Sequence, residues 1–122
     1  MHEIILYEDS SGKCPIEDYL EELSRSNTKE AKIRRTKIRA YINLLKDHGL
    51  PLPENLCKHM VDKIYELRPA GDRVFFAGFT GGKFVLLHCY RKKGQKTPQR
   101  ELKKAQEEFM DFIERWDNNG KD

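Results

Sequence analysis

The chain predicts an α+β domain: an antiparallel sheet of about four strands, two N-terminal helices on one of its faces and a C-terminal helix, in the order βααβββα. Three observations carry this. Strand-like runs at residues 63–68, 73–79 and 83–90 follow one another across two short turns, PAGD and TGG. Two segments ahead of them and one behind repeat apolar residues at helical spacing. Finally, 122 residues suit a single compact domain, residues 1–122, with one core.

Taken in order, EIILYE at residues 3–8 reads as the first strand, and Asp9, Ser10, Ser11 and Gly12 as the turn after it. Pro15 suits the first position of a helix whose Ile16, Tyr19, Leu20 and Leu23 share a face. Asn27 with Glu30 three residues on has the pattern of a capping box for a second helix, which Gly49 and Pro51 end. Its apolar stripe is Ile38, Tyr41, Ile42 and Leu45; Lys32, Arg35 and Arg39 lie away from it, solvated or meeting nucleic acid or an acidic partner. LPLPENLCKHM, residues 50–60, reads as a loop because two prolines interrupt any regular ladder. After the hairpin strands, Thr97 as cap and Pro98 in the first turn begin a last helix with the stripe Leu102, Ala105, Phe109, Phe112 and Trp116.

The charge is unevenly placed. Residues 1–24 hold seven acids against Lys13, and residues 105–122 hold six against Arg115 and Lys121. Between them, residues 25–57 sum to +5 (eight bases, three acids) and residues 58–104 to +8 (twelve bases, four acids). A basic middle between acidic ends suggests a phosphate-rich partner on one surface. With no apolar run near the length of a membrane span and no apolar leader, a cytoplasmic protein is expected. Cys14, Cys57 and Cys89, an odd count at unrelated spacings, fit reduced thiols.

Candidate chemistry follows from hairpin register. A four-residue PAGD loop sets Arg68 opposite Arg73 on one face of the sheet. The tight second turn sets Phe79 opposite Lys83 or Phe84; the Phe84 version also pairs Arg73 with Tyr90 and Phe75 with His88. One face then carries Tyr65, Leu67, Val74, Phe76, Val85, Leu87 and Cys89. The other carries Glu66, Arg68, Arg73, His88 and Tyr90 at one end and Phe75, Phe79, Phe84 and Leu86 at the other, where the last helix can cover them. Arg68, Arg73 and Tyr90 form a row beside the loop RKKGQK, a pocket in which guanidinium forks grip phosphate oxygens. Arg73 is placed to stabilise charge building on phosphorus, with His88 and Tyr90, and also His59, as proton carriers. Lys58, His59, Arg91, Lys92, Lys93 and Lys96 are the candidate RNA-binding groups.

Each signal has a plainer reading. Arg68 and Arg73 can pair with Glu66 or Asp72, His88 can be a satisfied buried histidine, and Tyr90 a boundary aromatic. No second ligand pair accompanies Cys57 and His59, and GGK at 81–83 lacks the rest of a P-loop, so neither a metal nor another cofactor is expected.

Residues 64–105, from IYELRPAGDRVFFAGF through LLHCYRKKGQKTPQRELKKA, resemble the RelE/HigB-like toxins of bacterial toxin-antitoxin modules, in particular their phage-derived branch. There a strand ends in E-L-R, the next opens with R-V-F/Y, an apolar strand ends near L-L-H, and K-K-x-x-K-T-P leads into a helix. The resemblance implies a RelE-like fold and a metal-independent, ribosome-dependent endoribonuclease that cleaves mRNA through its 2'-hydroxyl. It also implies neutralisation by a helix-turn-helix antitoxin in a hetero-oligomer. By position, Arg68 and Arg73 match the strand arginines, His88 the histidine after the apolar strand, and Lys92, Lys93, Lys96, Thr97 and Pro98 the basic loop. Some members carry lysines where this chain has Ile64 and Glu66, and a terminal tyrosine absent here, so Tyr90 or His88 becomes the candidate base. Two alternatives stand beside this reading: a ParE-like toxin that poisons DNA gyrase, and a non-catalytic RNA-binding module of the same fold.

Overall fold

The computed structural model describes residues 1–119, so the end of the acidic C-terminal stretch, residues 120–122, lies outside it. The elements run β1 (Ile4–Leu6), α1 (Pro15–Arg25), α2 (Lys29–His48), β2 (Cys57–Val61), β3 (Ile64–Leu67), β4 (Asp72–Phe79), β5 (Lys83–Arg91) and α3 (Gln99–Asn119). The class is the expected α+β, with one strand more than the sequence suggested. That strand, β2, occupies the second half of the stretch read as a loop. Both prolines precede it, so they interrupt nothing: Cys57 pairs with Leu67, Lys58 with Glu66 and His59 with Tyr65. Asp62, at a positive φ of 52°, turns the chain into β3 within two residues.

The sheet has the order β1-β5-β4-β3-β2, and it is mixed rather than wholly antiparallel, because β1 lies parallel to β5. The chain leaves β1, crosses two helices and three strands, and returns beside it in the same direction. Two strands so far apart in sequence leave no local sign of how they run relative to each other.

Helices cover both faces. Ile16 of α1 and Ile38 and Leu45 of α2 pack with Leu67, Val74, Phe76, Phe84 and Leu86. On the other face Ala105 and Phe112 of α3 pack with Phe75, Ala77, Val85 and Leu87. Phe79 meets Phe112 and Trp116 edge to face, at centroid separations of 5.2 and 5.1 Å, so α3 closes the apolar end of this face as expected. Two caps differ from the sequence reading. Thr28, not Asn27, caps α2, its hydroxyl accepting from the Ala31 amide at 3.1 Å. Thr97 does not cap α3; its hydroxyl is drawn to Glu66 instead.

The β4–β5 hairpin combines the two registers that the sequence left open. Next to the turn Phe79 pairs with Lys83, and this register holds as far as Phe76–Leu86. A β-bulge then inserts Leu87, after which Phe75 pairs with His88, Arg73 with Tyr90 and Asp72 with Arg91. Because a shift of one residue exchanges the faces of a strand, Val85 and Leu87 point toward α3, and Phe84 and Leu86 toward α1 and α2. This reverses the expectation for those four residues, while Cys89 and Tyr90 beyond the bulge fall on the expected faces.

Asp72 anchors the helix pair to the sheet. It is fully buried and accepts from Tyr19 Oη at 2.7 Å, Arg34 Nη2 at 2.7 Å, Arg34 Nε at 3.0 Å and Arg91 Nη1 at 3.3 Å. Burial by itself raises its pKa, but the Arg34 and Tyr19 hydrogen bonds and the two guanidinium charges outweigh burial and hold the carboxyl below its usual range. A group depressed in the folded state adds stability above its unfolded pKa, about 3.9, and loses it as pH falls through the folded value. Asp72→Ala is therefore expected to destabilise the protein by about 3 kcal/mol at pH 7, since it leaves the part-buried Arg34 guanidinium and Tyr19 phenol without their acceptor. The difference between wild type and variant, measured by urea unfolding, should shrink below about pH 4.

Candidate active site

The open end of the α3 face is built around Glu66, a residue that the sequence reading treated only as a possible arginine partner. Its backbone lies in the middle of β3, between Lys58 on β2 and Phe75 on β4. Strand alternation then turns it to the same face as Arg73 and Tyr90, whose positions pair directly. The carboxylate is 0% exposed. Its Oε2 accepts from Tyr90 Oη at 2.8 Å and from Thr97 Oγ1 at 3.1 Å. Its Oε1 accepts from Arg68 Nε at 3.3 Å and lies 3.8 Å from Arg73 Nε.

The structure thus brings Arg68, Arg73 and Tyr90 to one side of the sheet, and it also makes the pairing with Glu66 that was the plainer reading of the two arginines. The two are held differently. Arg73 is 8% exposed, and its Nη1 donates to the Ala70 and Asp72 carbonyls at 2.6 and 2.9 Å. Ala70, at a positive φ of 58°, aims its carbonyl into the turn where Arg73 receives it. Arg68 has its side chain 29% exposed and holds to the site through Glu66. Burial and the hydrogen bond to Glu66 push the Tyr90 phenol up to about 12 against a lowering pull from Thr97, so it is a neutral donor near pH 7.

A cavity of about 30 Å³ opens beside these groups, lined by Arg68, Arg73, Tyr90, Lys92, Gln95, Lys96 and Thr97. The basic loop 92–96 is exposed and forms its rim, with the Lys92 amide tied to the Gly71 carbonyl at 2.9 Å. Lys58, exposed on β2 opposite Glu66, stands on the same side of the sheet.

The remaining predicted residues lie elsewhere. His88 is 2% exposed under α3, its Nδ1 2.6 Å from Glu108 Oε1 and its Nε2 2.9 Å from Glu101 Oε1. Both ring nitrogens are therefore engaged by carboxylates of the helix that covers it. His59 is exposed on edge strand β2, where Nε2 meets the Asp62 carbonyl at 2.7 Å and the ring packs on Tyr65. Arg91 is turned to the opposite face, where it reaches Asp72 at 3.3 Å and Glu30 at 3.7 Å. What the sequence reading missed, Glu66 and Thr97, had one available signal: a glutamate between two apolar positions of a central strand must face a cluster of donors if it is buried.

The result is an α+β domain that presents a small arginine-lined pocket at one end of its sheet. Residues 18–110 match the model of the phage-derived Gp49-like proteins, and the chain belongs to that family, which is associated with toxin-antitoxin modules. That association points to an antitoxin as partner. Among curated proteins the comparison finds no match. Among the described residues no helix is long and apolar enough to cross a membrane.

If the loop tracks a nucleic-acid backbone, its lysines release counterions on binding. Replacing Lys92, Lys93 and Lys96 together by alanine should flatten the plot of log affinity against log salt for single-stranded RNA by about 2, roughly 0.7 per lost phosphate contact. An unchanged slope in filter-binding titrations would place the contact elsewhere.

Proposed function

We propose that the protein is the toxin of a toxin-antitoxin module and acts as a ribosome-dependent mRNA endoribonuclease that inhibits translation in the cytoplasm. The observation that carries this reading is the gathering of two guanidiniums, a phenol and a carboxylate on one sheet face under a loop of lysines. Such a set supplies a base, an acid and stabilisation for a phosphorane, which suffice for metal-independent cleavage because RNA supplies its own 2'-hydroxyl as nucleophile.

In the proposed reaction Glu66 takes the proton of the 2'-hydroxyl, and the oxygen attacks the adjacent phosphorus. Arg73 and Arg68 stabilise the charge that builds on the phosphorane oxygens. The bond from phosphorus to the 5'-oxygen breaks, and Tyr90 gives that oxygen its proton. Products are a 2',3'-cyclic phosphate and a 5'-hydroxyl. The Tyr90–Glu66 hydrogen bond then carries the proton back from carboxylic acid to phenolate, which restores both groups. Tyr90, a neutral phenol with a raised pKa, suits the acid better than the base. His88, enclosed by Glu101 and Glu108, is a positioning residue in this reading: it fixes the start of α3, and with it Thr97, against the sheet. Lys58, Lys92, Lys93 and Lys96 line the approach of messenger and ribosomal backbone, and a helix-turn-helix antitoxin is the neutralising partner.

Expression from a tightly controlled promoter with mapping of mRNA ends tests the proposal. Wild type should arrest growth and leave messages cut within reading frames, and Arg73→Ala should lower cleavage about 10²–10³-fold while circular dichroism shows an intact fold. Undiminished cleavage by the folded variant overturns the role of Arg73. Intact messages with double-strand DNA breaks would instead mark a gyrase poison, and RNA binding without cleavage on translating ribosomes a non-catalytic module.

A further inference from the structure

We propose that Glu66 is an internal anion that holds the pocket shut, and that an incoming phosphate opens it by taking Arg68 and Arg73 from the carboxylate. This rests on the cleavage site described above and adds a closed resting state to it. Glu66 occupies the position between the arginines that a phosphate would need, and it accepts from the same donors: Arg68, Tyr90 and Thr97, with Arg73 at 3.8 Å. While Arg68, Arg73, Tyr90 and Thr97 are drawn to that carboxylate, the free space they line is about 30 Å³, on the order of one water molecule, so a phosphate group does not fit. The buried carboxylate likewise has no route to a 2'-hydroxyl while all its partners enclose it.

The anchoring of each group indicates which parts move. Arg73 is fastened to two backbone carbonyls and stays. Arg68 is partly exposed, and its contact with the carboxylate is a single hydrogen bond of 3.3 Å. Thr97 links the exposed lysine loop to the same carboxylate, so a backbone drawn to the loop pulls on the contact that closes the site. When phosphate oxygens take the guanidiniums, Glu66 is freed toward the nucleophile. One set of contacts thus keeps the base inactive until substrate arrives. In charge terms the two guanidiniums and one carboxylate leave a surplus of one positive charge, which a phosphodiester neutralises.

The competition is measurable without any cleavage assay. Inorganic phosphate is titrated at constant ionic strength into the full chain while the arginine Nε–Hε resonances are followed by NMR. Glu66→Gln keeps the shape and removes the competing charge, and should bind phosphate about tenfold more tightly than wild type. The Arg68 and Arg73 resonances should shift, and the gain should vanish in Glu66→Gln with Arg68→Ala. Glu66→Asp draws the carboxylate back by one methylene while retaining a buried anion; it should also bind phosphate more tightly and serves if Glu66→Gln fails to fold. Equal or weaker binding by the folded variants overturns the proposal. The two readings fail separately: tighter phosphate binding without any mRNA cleavage by wild type leaves the closed pocket standing and removes the nuclease, and cleavage by wild type with no gain in the variants does the reverse.

Discussion

A single inserted residue in β5 sets which side chains meet in the pocket of this protein. From the turn, the β4–β5 ladder runs Phe79–Lys83 to Phe76–Leu86, and continued without interruption it would place Arg73 opposite Cys89. Tyr90 would then face α1 and α2, and the pocket would lose its phenol. The bulge at Leu87 shifts the far half of the strand by one and brings Tyr90 opposite Arg73. The local loss of regular pairing is offset by burial, since Leu87 is 0% exposed in the α3 core. Near the turn β5 follows the packing needs of its aromatic and aliphatic residues, and beyond Leu87 it follows the needs of its polar ones.

Those polar needs centre on two fully buried carboxylates, one for each face of the sheet. Asp72 gathers Tyr19, Arg34 and Arg91 from α1, α2 and β5; Glu66 gathers Arg68, Arg73, Tyr90 and Thr97. A buried ion pair adds little net stability compared with apolar packing, but a slipped register would strand its charges, so such pairs single out one arrangement. Neighbouring Asp72 and Arg73 point to opposite faces, so a one-residue slip of β4 would strand charges on both. Asp72 has a structural part, locking the helix pair to the sheet. The Glu66 cluster has the same construction but opens through Arg68 and the lysine loop, where the closure is weakest.

This division bears on the histidine and lysines that the motif pattern brings forward. His88 lies deep beneath α3 between Glu108 and Glu101 and does not line the pocket. Lys92, Lys93 and Lys96 stay exposed at the rim, while Arg91, next to them in sequence, turns away to Asp72. A run of basic residues in one loop thus serves two faces of the sheet, because strand alternation persists to Arg91 and ends there.

What the sequence by itself determined is what local physics controls. The α+β class, three helices with their apolar stripes, the three hairpin strands and the common face of Arg68 and Arg73 all follow from side-chain period and turn chemistry, while Tyr90 joins them only through the bulge. Tertiary structure alone decided the rest. The parallel placement of β1 beside β5 depends on two segments about eighty residues apart. Strand β2 forms because β3 offers it a free edge, in a stretch whose prolines hide the pattern. The bulge is a compromise between two cores that no short window of sequence contains. Glu66 shows the same limit most clearly: a lone glutamate in a strand acquires its meaning only when a turn, a neighbouring strand and the approach to a distant helix deliver four donors to it, and no periodicity reports a meeting of that kind.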